Sequence, residues 1–449
     1  MKLYNTPEHK VVEFKPQDPK RIKMYSCGPT VYGYQHIGNY AAYIYWDLLV
    51  RALQAQGSNV DRIINFTDVG HLASDADAGE DKMEKGAKRE GKTVWEIAEF
   101  YEKDFLENYR ALNLIEPSKF APATEYIKQD IELVDRLTEK GYTYETKDGI
   151  YYDTSKFPDY AKFAHLDLEH LQAGARIEFN EEKRNISDFA VWKFIQPGED
   201  HAMQWEYLGR PGYPGWHLEC STIIHTELGE PIDIHAGGID HVPIHHTNEI
   251  AQSTAAFDKP LSNYWVHCNF ITIEGKKVSK SLGNTYTLAD LAEKGFSPMD
   301  YKMWVLQGHY QSDRNFTFED LAAAKQRRLN WRNKIVLLYQ KFEKDTSKET
   351  LSKILELVEN NLNSAGAFAL IDGNDFTMEE WQKIDELFGL NLVTDSPDIT
   401  DEQKNLIAQR EAARAEKDFA TADKLRDQLA QQNLTVKDTP NGPVWQYLN

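Results

Sequence analysis

The stretch formed by residues 27–40 constrains the fold most strongly, because its pattern predicts a strand-to-helix connection. A short strand precedes it, and residues 41–56 form an apolar-rich run that predicts a helix. Gly38 and Asn39 then lie near the N-terminus of that helix, where unpaired backbone N–H groups and the helix dipole attract phosphate. His36 can donate hydrogen bonds to phosphate oxygens. The alternative interpretation is a tight turn with a surface histidine.

Alternation of strand and helix patterns continues through residues 1–120 and indicates a parallel sheet with covering helices. The strand predicted at 60–66 is followed by Thr67 and Asp68, at a position where ligands gather in open α/β sheets. From residue 319 to 392 the pattern becomes wholly helical. The sequence therefore predicts an α/β fold followed by helical C-terminal domains.

Length and charge limit the function classes. The chain has 449 residues, which is too many for one core, so about two to four domains are expected. A formal net charge of −20 argues against indiscriminate binding of nucleic acid, since phosphates are repelled at long range. A local basic segment such as residues 325–334 still suits a nucleic-acid partner, although a solvated helix face is the alternative.

The cysteine content indicates the compartment. Cys27, Cys220 and Cys268 are too few in a chain of this length to form a disulfide framework, so a reducing cytoplasm is expected. No apolar run is long enough to span a membrane, and the first residues lack the core of a signal peptide.

A second stretch, residues 276–284, reads KKVSKSLGN and predicts a mobile basic loop. Together with residues 27–39, which contain CGPT and HIGN, it resembles the two signatures of class I aminoacyl-tRNA synthetases. The usual methionine of the second signature is Val278 here, and Asn39 stands where a second histidine is often found. Cys27, just before the first signature, narrows the resemblance to the cysteinyl-tRNA synthetase family.

The resemblance implies a split Rossmann-like parallel-sheet catalytic domain with a connective insertion, followed by helical C-terminal domains. The catalytic sheet is expected to resume at residues 215–220 after the insertion. The implied division is a catalytic domain in two halves at 1–123 and 205–270, a connective insertion at 124–204, a signature-loop and stem-contact region at 271–318, a helical-bundle anticodon-binding domain at 319–393 and a small tRNA-recognition domain at 399–449.

Four residues match the zinc ligands of the family, namely Cys27, Cys220, His245 and Glu249. Zn²⁺ takes thiolate, imidazole and carboxylate ligands. His245 and Glu249 are four residues apart and share a face if that segment is helical, while both cysteines lie near the ends of predicted strands. Without the resemblance, two buried cysteines beside a polar helix start would be the better interpretation. His246 is the nearest competitor as a ligand.

The need to select cysteine, the substrate that the resemblance implies, explains why such an enzyme binds a metal. Cysteine must be distinguished from serine, which is almost the same size, and a hydrophobic pocket separates such analogues poorly. Zinc prefers a soft thiolate to a neutral hydroxyl and lowers the pKa of a bound thiol. Trp216 and His235 are expected to line the same pocket, although Trp216 could equally be a core residue.

The adenylate site is implied by residues 233–241, which read as a strand and a glycine turn. The resemblance implies that ATP binds with Mg²⁺, for which no carboxylate is assigned. Catalytic roles fall on His36, Asn39, Lys277 and Lys280. The expected ATP-binding residues are Gly28, His36, Gly38, Asn39, Gly237, Gly238, Asp240 and Lys280.

The implied enzyme is a ligase that activates L-cysteine with ATP to cysteinyl-adenylate and transfers it to the 3′ end of cysteine tRNA. Its partners are then cysteine tRNA, L-cysteine and ATP, and the family favours a monomer. Two alternatives remain open at this point. One is a cysteine ligase that transfers from the same adenylate core to a small amine, and the other is a non-catalytic tRNA-binding paralogue.

Overall fold

The computed structural model describes residues 1–69, 72–74, 78–166, 182–199, 201–278, 283–340, 348–440 and 442–448. Within these ranges no helix combines the length and the apolar character that a membrane span needs.

The elements are numbered in chain order. The strands are β1 Lys2–Asn5, β2 Lys10–Glu13, β3 Arg21–Ser26, β4 Asn59–Phe66, β5 Leu72–Ser74, β6 Ala78–Asp81, β7 Lys119–Pro122, β8 Thr143–Glu145, β9 Gly149–Tyr152, β10 Phe189–Phe194, β11 Trp205–Tyr207, β12 Arg210–Pro214, β13 Ile232–Gly238, β14 Ser262–Cys268, β15 Ile271–Ile273, β16 Lys276–Lys277, β17 Arg314–Phe316, β18 Leu434–Thr439 and β19 Gly442–Tyr447. The helices are α1 Ile37–Ala55, α2 Lys82–Glu90, α3 Val94–Ala111, α4 Ile127–Glu139, α5 Trp216–Glu227, α6 Thr247–Phe257, α7 Leu288–Glu293, α8 Pro298–Leu306, α9 Phe318–Leu338, α10 Lys348–Glu359, α11 Ser364–Gly373, α12 Met378–Phe388, α13 Asp401–Ala415 and α14 Phe419–Gln431.

The central sheet has five parallel strands in the order β14-β13-β3-β4-β7. Strands β3, β4 and β7 come from the first part of the chain and β13 and β14 from a later part, so the sheet is split in sequence. The predicted parallel α/β fold, interrupted by an insertion, is therefore confirmed.

Side chains alternate across this sheet, as the period of an extended strand requires. Met24 of β3 and Ile64 of β4 pack into the core that contains α1 and α3. Their neighbours Tyr25 and Ile63 pack on the opposite face against α5. Both faces are buried, which is the usual arrangement for a parallel sheet.

The insertion is a five-stranded antiparallel sheet in the order β11-β12-β10-β9-β8. Its strands extend to Pro214, so the second catalytic half does not begin at residue 205 as predicted. Residues 215–220 do not resume the sheet either, because Trp216–Glu227 forms helix α5. The central sheet resumes with β13.

Two helices lie close to the site on the chain after β6. Helix α2 is capped by Asp81, whose carboxylate accepts from the backbone of Met83 and Glu84. Helix α3 packs into the core but leaves Trp95 49% exposed.

The helical C-terminal part shares a core with the catalytic domain. Buried residues of α10 to α12, such as Phe368 and Trp381, belong to the same cluster as α1. Asp47 of α1 lies at this junction, where it binds Lys302 Nζ at 2.8 Å with both side chains fully buried. Helices α13 and α14 and the hairpin β18–β19 form a separate small core against Val336 of α9.

Candidate active site

A cavity of about 830 Å³ opens where β3, β4 and β13 end and α1 begins. This is the carboxyl edge of the sheet, where ligands bind in open α/β folds. Most of the first signature lines it, together with residues of α5 and the segment after β13. The sequence-predicted lining residues found there are Cys27, Gly28, His36, Gly38, Asn39, Trp216, Cys220, Gly237, Gly238, Asp240 and His245.

The N-terminus of α1 faces this cavity and is closed by a reciprocal capping box. The backbone N–H of Asn39 donates to His36 Nδ1 at 3.3 Å, and the backbone N–H of His36 donates to Asn39 Oδ1 at 3.1 Å. The two residues predicted to bind phosphate therefore also fix the end of the helix. Since Oδ1 of Asn39 serves the cap, its Nδ2 group is the atom that can donate to a ligand.

Two glycines of the site are required by packing. A Cβ atom at Gly28 would lie 1.6 Å from the backbone oxygen of Asn65, because the chain here runs tightly against β4. A Cβ atom at Gly237 would lie 2.7 Å from Cε1 of His246. Close approach between protein segments thus explains these two glycines, whatever contact they also make with a nucleotide.

Side chains on one face of helix α5 line the cavity. Trp216, Glu219 and Cys220 are three and four positions apart, so they share that face. The predicted strand would have sent Glu219 and Cys220 to opposite sides. Cys220 does reach the site, but from the first turns of a helix rather than from a strand end.

The predicted metal ligands are brought together. One ligand atom from each of Cys27, Cys220, His245 and Glu249 lies within 4.8 Å of the others. Nε2 of His245 is 2.9 Å from Oε1 of Glu249 and 3.5 Å from Sγ of Cys220. His245 and Glu249 belong to one helical stretch, because a single π-helical turn, Val242–His246, leads directly into α6.

A second set satisfies the same distance criterion, with His235 and His246 beside Cys27 and Glu249. His246 is held from both sides, by Sγ of Cys27 at 3.2 Å from Nε2 and by His267 at 2.7 Å from Nδ1. Nε2 of His235 is 2.8 Å from Glu249. The described lining of the cavity includes Cys27, Cys220 and His245 but not His235 or His246. His235 is fully buried and is not part of this described lining, so it does not line the pocket as predicted.

The charges of this cluster are strongly coupled. Burial raises the pKa of Glu249, but His235 and His245 outweigh burial and bring it down to about 2. Burial lowers the pKa of His245, but the Glu249 carboxylate and Cys27 raise it to about 10. Burial also raises the pKa of the Cys220 thiol well above its usual range. The carboxylate and imidazole thus form a buried ion pair beside Cys27 and Cys220.

The donor set fits a zinc ion. The carboxylate of Glu249 is fully buried, and its Oε1 lies 2.9 Å from Nε2 of His245. Both cysteines are free thiols. Two sulfurs, one imidazole and one carboxylate are ligands that Zn²⁺ accepts, and buried charges in proteins are usually paired or coordinate a metal.

Glu219 is a site residue that the sequence reasoning missed. It is buried, and Oε1 accepts from the hydroxyl of Thr67 at 2.5 Å, while Oε2 has no hydrogen-bond partner among the described residues. Burial raises the pKa of this carboxyl well above its usual range. Its position directly before Cys220 was the available signal, but only a helical interpretation would have turned both side chains toward the cavity.

The second signature is only partly described. Val278 lines the cavity, and the backbone of Lys277 forms part of β16. Lys280, which carries the predicted phosphate contact, lies outside the described residues. Its role and that of Lys277 therefore stay predictions.

Comparison with known proteins decides the family. A family profile described as "tRNA synthetases class I (C) catalytic domain" matches residues 13–326, and one described as "Cysteinyl-tRNA ligase anticodon binding domain" matches residues 396–445. This chain belongs to the cysteinyl-tRNA synthetase family. It is accordingly a ligase that activates cysteine and charges tRNA, as the signatures predicted. The profile named for anticodon binding matches the last domain.

Relatives in this family match along the whole chain. The chain is 39% identical to "Cysteine--tRNA ligase 1" of Burkholderia lata, covering 98% of this chain and 95% of that one. It is 38% identical to "Cysteine--tRNA ligase" of Treponema denticola, covering 100% of both. A match that includes the C-terminal domains favours tRNA over a small amine as the acceptor.

A solved structure agrees in fold. Methionyl-tRNA synthetase of Mycobacterium tuberculosis in complex with methionyl-adenylate superimposes with a TM-score of 0.60 at 15% identity, over 83% of this chain and 88% of that one. At this identity the likeness concerns the fold alone.

Proposed function

We propose that this chain selects cysteine through a zinc ion held by Cys27, Cys220, His245 and Glu249, with one ion per chain. The observation that carries the proposal is the convergence of these four ligand atoms within 4.8 Å, with three of the residues, Cys27, Cys220 and His245, lining the cavity. Zn²⁺ bound there would take the substrate sulfur as a thiolate and disfavour the hydroxyl of serine. The cavity-facing set is preferred over the set with His235 and His246, because a substrate must reach the metal.

The chain's own residues do the remaining work by positioning. The N-terminus of α1 presents backbone N–H groups and Nδ2 of Asn39 to the phosphates of ATP, and His36 adds a second donor. Trp216 stacks on the ring of His245 at 4.3 Å between centroids, which supports a role in shaping the pocket for a small side chain. Asp240, Gly237 and Gly238 border the place where adenosine would bind.

Lys280 is proposed to close over the phosphates from its loop. Gly275 and Gly283 flank the loop, and both have positive φ values, which supports turns at its two ends. ATP is expected to bind together with Mg²⁺.

The proposed division of labour assigns adenylate formation to the two catalytic halves and tRNA recognition to the helical part. The domain of residues 319–393 and that of residues 399–449 both contribute to this recognition. The basic helix α9 joins them, because Val336 packs with the C-terminal core. A cytoplasmic location is proposed because zinc-binding thiols must stay reduced. A monomer is proposed from the family resemblance, and light scattering tests it.

The experiment is a metal analysis with a matched cysteine control. Purified wild-type protein should contain about one Zn²⁺ per chain. Cys220→Ser should lose the metal together with cysteine-dependent ATP–pyrophosphate exchange, while the circular dichroism spectrum stays unchanged. Cys268→Ser is the control, since Cys268 is also a buried free thiol but belongs to neither ligand set.

A second pair of variants separates the two ligand sets. If the cavity-facing set is correct, His245→Gln loses zinc, whereas His246→Gln keeps it. The reverse result would transfer the site to His246. Full zinc retention in Cys220→Ser would remove Cys220 from the site.

A further inference from the structure

An aromatic cluster stands on the rim of the catalytic cavity and has no role in adenylate formation as described above. It consists of Tyr34, from the loop before α1, and of Phe100 and Tyr101 from α3; we call it the rim cluster. Tyr34 lines the cavity and is 54% exposed, and Phe100 is 41% exposed. Large aromatic side chains with this exposure at the mouth of a functional cavity indicate a binding surface.

The rings of the rim cluster hold one another edge to face. Tyr34 is 5.1 Å from Tyr101 and 6.1 Å from Phe100 between ring centroids, and Phe100 is 5.0 Å from Tyr101. Perpendicular packing of this kind is a favourable aromatic geometry. It uses an edge of one ring against a face of the next, so the cluster is both ordered and partly open to solvent.

The loop that carries Tyr34 is itself fixed. Arg89 of α2 donates to the backbone oxygen of Tyr32 at 3.0 Å. Gly86 of α2 permits the same approach, since a Cβ atom there would lie 3.0 Å from that oxygen. Tyr34 is therefore presented from an anchored backbone, and little conformational entropy is lost when a ligand stacks on it.

Positive charge accompanies the rings. Nζ of Lys92 lies 4.3 Å from the centroid of Phe100, and Lys82, like Tyr34, lines the cavity. Glu90 lies near both Lys92 and Arg89, at 3.6 Å and 2.7 Å, and offsets part of that charge. Stacking surfaces next to cations are the arrangement that binds single-stranded nucleic acid without reading its sequence.

We propose that the rim cluster is the stacking platform for the single-stranded 3′ end of the tRNA, with Tyr34 contacting a base directly. The proposal rests on the proposed function, because the terminal ribose must reach an adenylate held at the N-terminus of α1. The platform is continuous with the cavity through Tyr34, so a strand that stacks there continues inward. In a chain with a net charge of −20, local stacking supplies attraction that the overall charge does not.

The test separates tRNA charging from adenylate formation in the full chain. Tyr34→Ala should lower kcat/KM for tRNA in charging by about 5- to 150-fold, which corresponds to about 1–3 kcal/mol at 1.4 kcal/mol per factor of ten. Cysteine-dependent ATP–pyrophosphate exchange should stay within about twofold, because the ring lies outside the phosphate and metal sites. Tyr34→Phe keeps the ring and should restore charging.

Two variants on α3 guard against a purely structural effect. Phe100→Ala should also lower tRNA charging without altering ATP–pyrophosphate exchange. Because this variant leaves the loop before His36 intact, such a result cannot come from a displaced His36. Trp95→Ala is the matched control, since Trp95 is 49% exposed on the same helix but lies about 140° around the axis from Phe100. It should charge tRNA normally.

A spectroscopic readout reports stacking itself. Cysteine tRNA carrying 2-aminopurine in place of its terminal adenine should lose fluorescence on binding wild-type protein and lose less on binding Tyr34→Ala. Normal charging by Tyr34→Ala would overturn the proposal. Equal loss of exchange and charging would also overturn it, since Tyr34 would then act on ATP or on the position of His36. A wild-type protein without exchange would instead refute the proposed function.

Discussion

Asn39 is proposed to do two things, and substitution can separate them. Its Oδ1 caps α1 by accepting from the backbone N–H of His36 at 3.1 Å, and its Nδ2 group faces the cavity side of the helix end. Asn39→Ala removes both functions. Asn39→Asp keeps an oxygen for the cap but replaces the donor with a negative charge, which repels phosphate.

The expected magnitudes differ between stability and rate. Loss of a helix cap costs about 0.5–2 kcal/mol, so Asn39→Ala should unfold at lower urea concentration. Asn39→Asp should match the wild type or exceed it by about 0.3–1 kcal/mol, because an acid in the first turn is favoured by the helix dipole. Loss of one hydrogen-bond donor to the charge that develops on the ATP phosphates slows adenylate formation by about 100- to 1,000-fold. Asn39→Ala and Asn39→Asp should both show at least this effect.

Urea unfolding followed by circular dichroism and single-turnover adenylate formation at saturating ATP measure the two quantities. Thr400→Ala is the control, since it removes a capping box from α13, outside the catalytic domain, and should leave the rate unchanged. A normal adenylate rate in Asn39→Asp would refute the reasoning. Asn39 would then serve only as a cap.

Three further predictions follow from other parts of the chain. Lys302→Met leaves Asp47 as a buried charge that has lost one of its cations, and it should lower the free energy of unfolding by about 3–5 kcal/mol in urea titrations; a loss below about 1 kcal/mol would contradict the buried pair. Lys280→Ala should slow single-turnover adenylate formation by about a hundredfold or more with little change in cysteine affinity, and a change in ATP affinity alone would make it a ground-state contact. A chain that ends at residue 398 loses only the separate C-terminal core, so it should keep ATP–pyrophosphate exchange and lose tRNA charging; undiminished charging would refute the assignment of that domain.

The secondary-structure elements that position the site could be predicted from the sequence where the sequence signals for them are local. The helix after the first signature and the parallel strand β4 both follow from periodicity and turn chemistry. Gly28 shows the limit of this approach. The reason for a glycine there is the backbone of Asn65 on a neighbouring strand, and a neighbour in space cannot be read from adjacent residues.

The mistaken elements have physical causes. Helix α5 contains β-branched and aromatic residues and is buried over most of its length, so no amphipathic period distinguishes it from a buried strand. Helix α2 gives little sequence signal, because its buried side consists only of Met83, Gly86 and Ala87 and charged residues dominate the rest. His235 was expected to line the pocket, but its Nε2 lies 2.8 Å from Glu249, and the direction of a side chain in a buried strand cannot be read from sequence.

The most direct test of the central claim, selection of cysteine at a zinc site in this cavity, is amino-acid-dependent ATP–pyrophosphate exchange by the purified full chain. Exchange should occur with cysteine, and kcat/KM for serine should be lower by about 10⁴-fold or more, as for a site that demands a specific polar partner. Removal of zinc by a chelator should abolish the cysteine-dependent exchange, and added Zn²⁺ should restore it. Exchange with serine within about tenfold of cysteine, or full activity in the metal-free protein, would contradict the account.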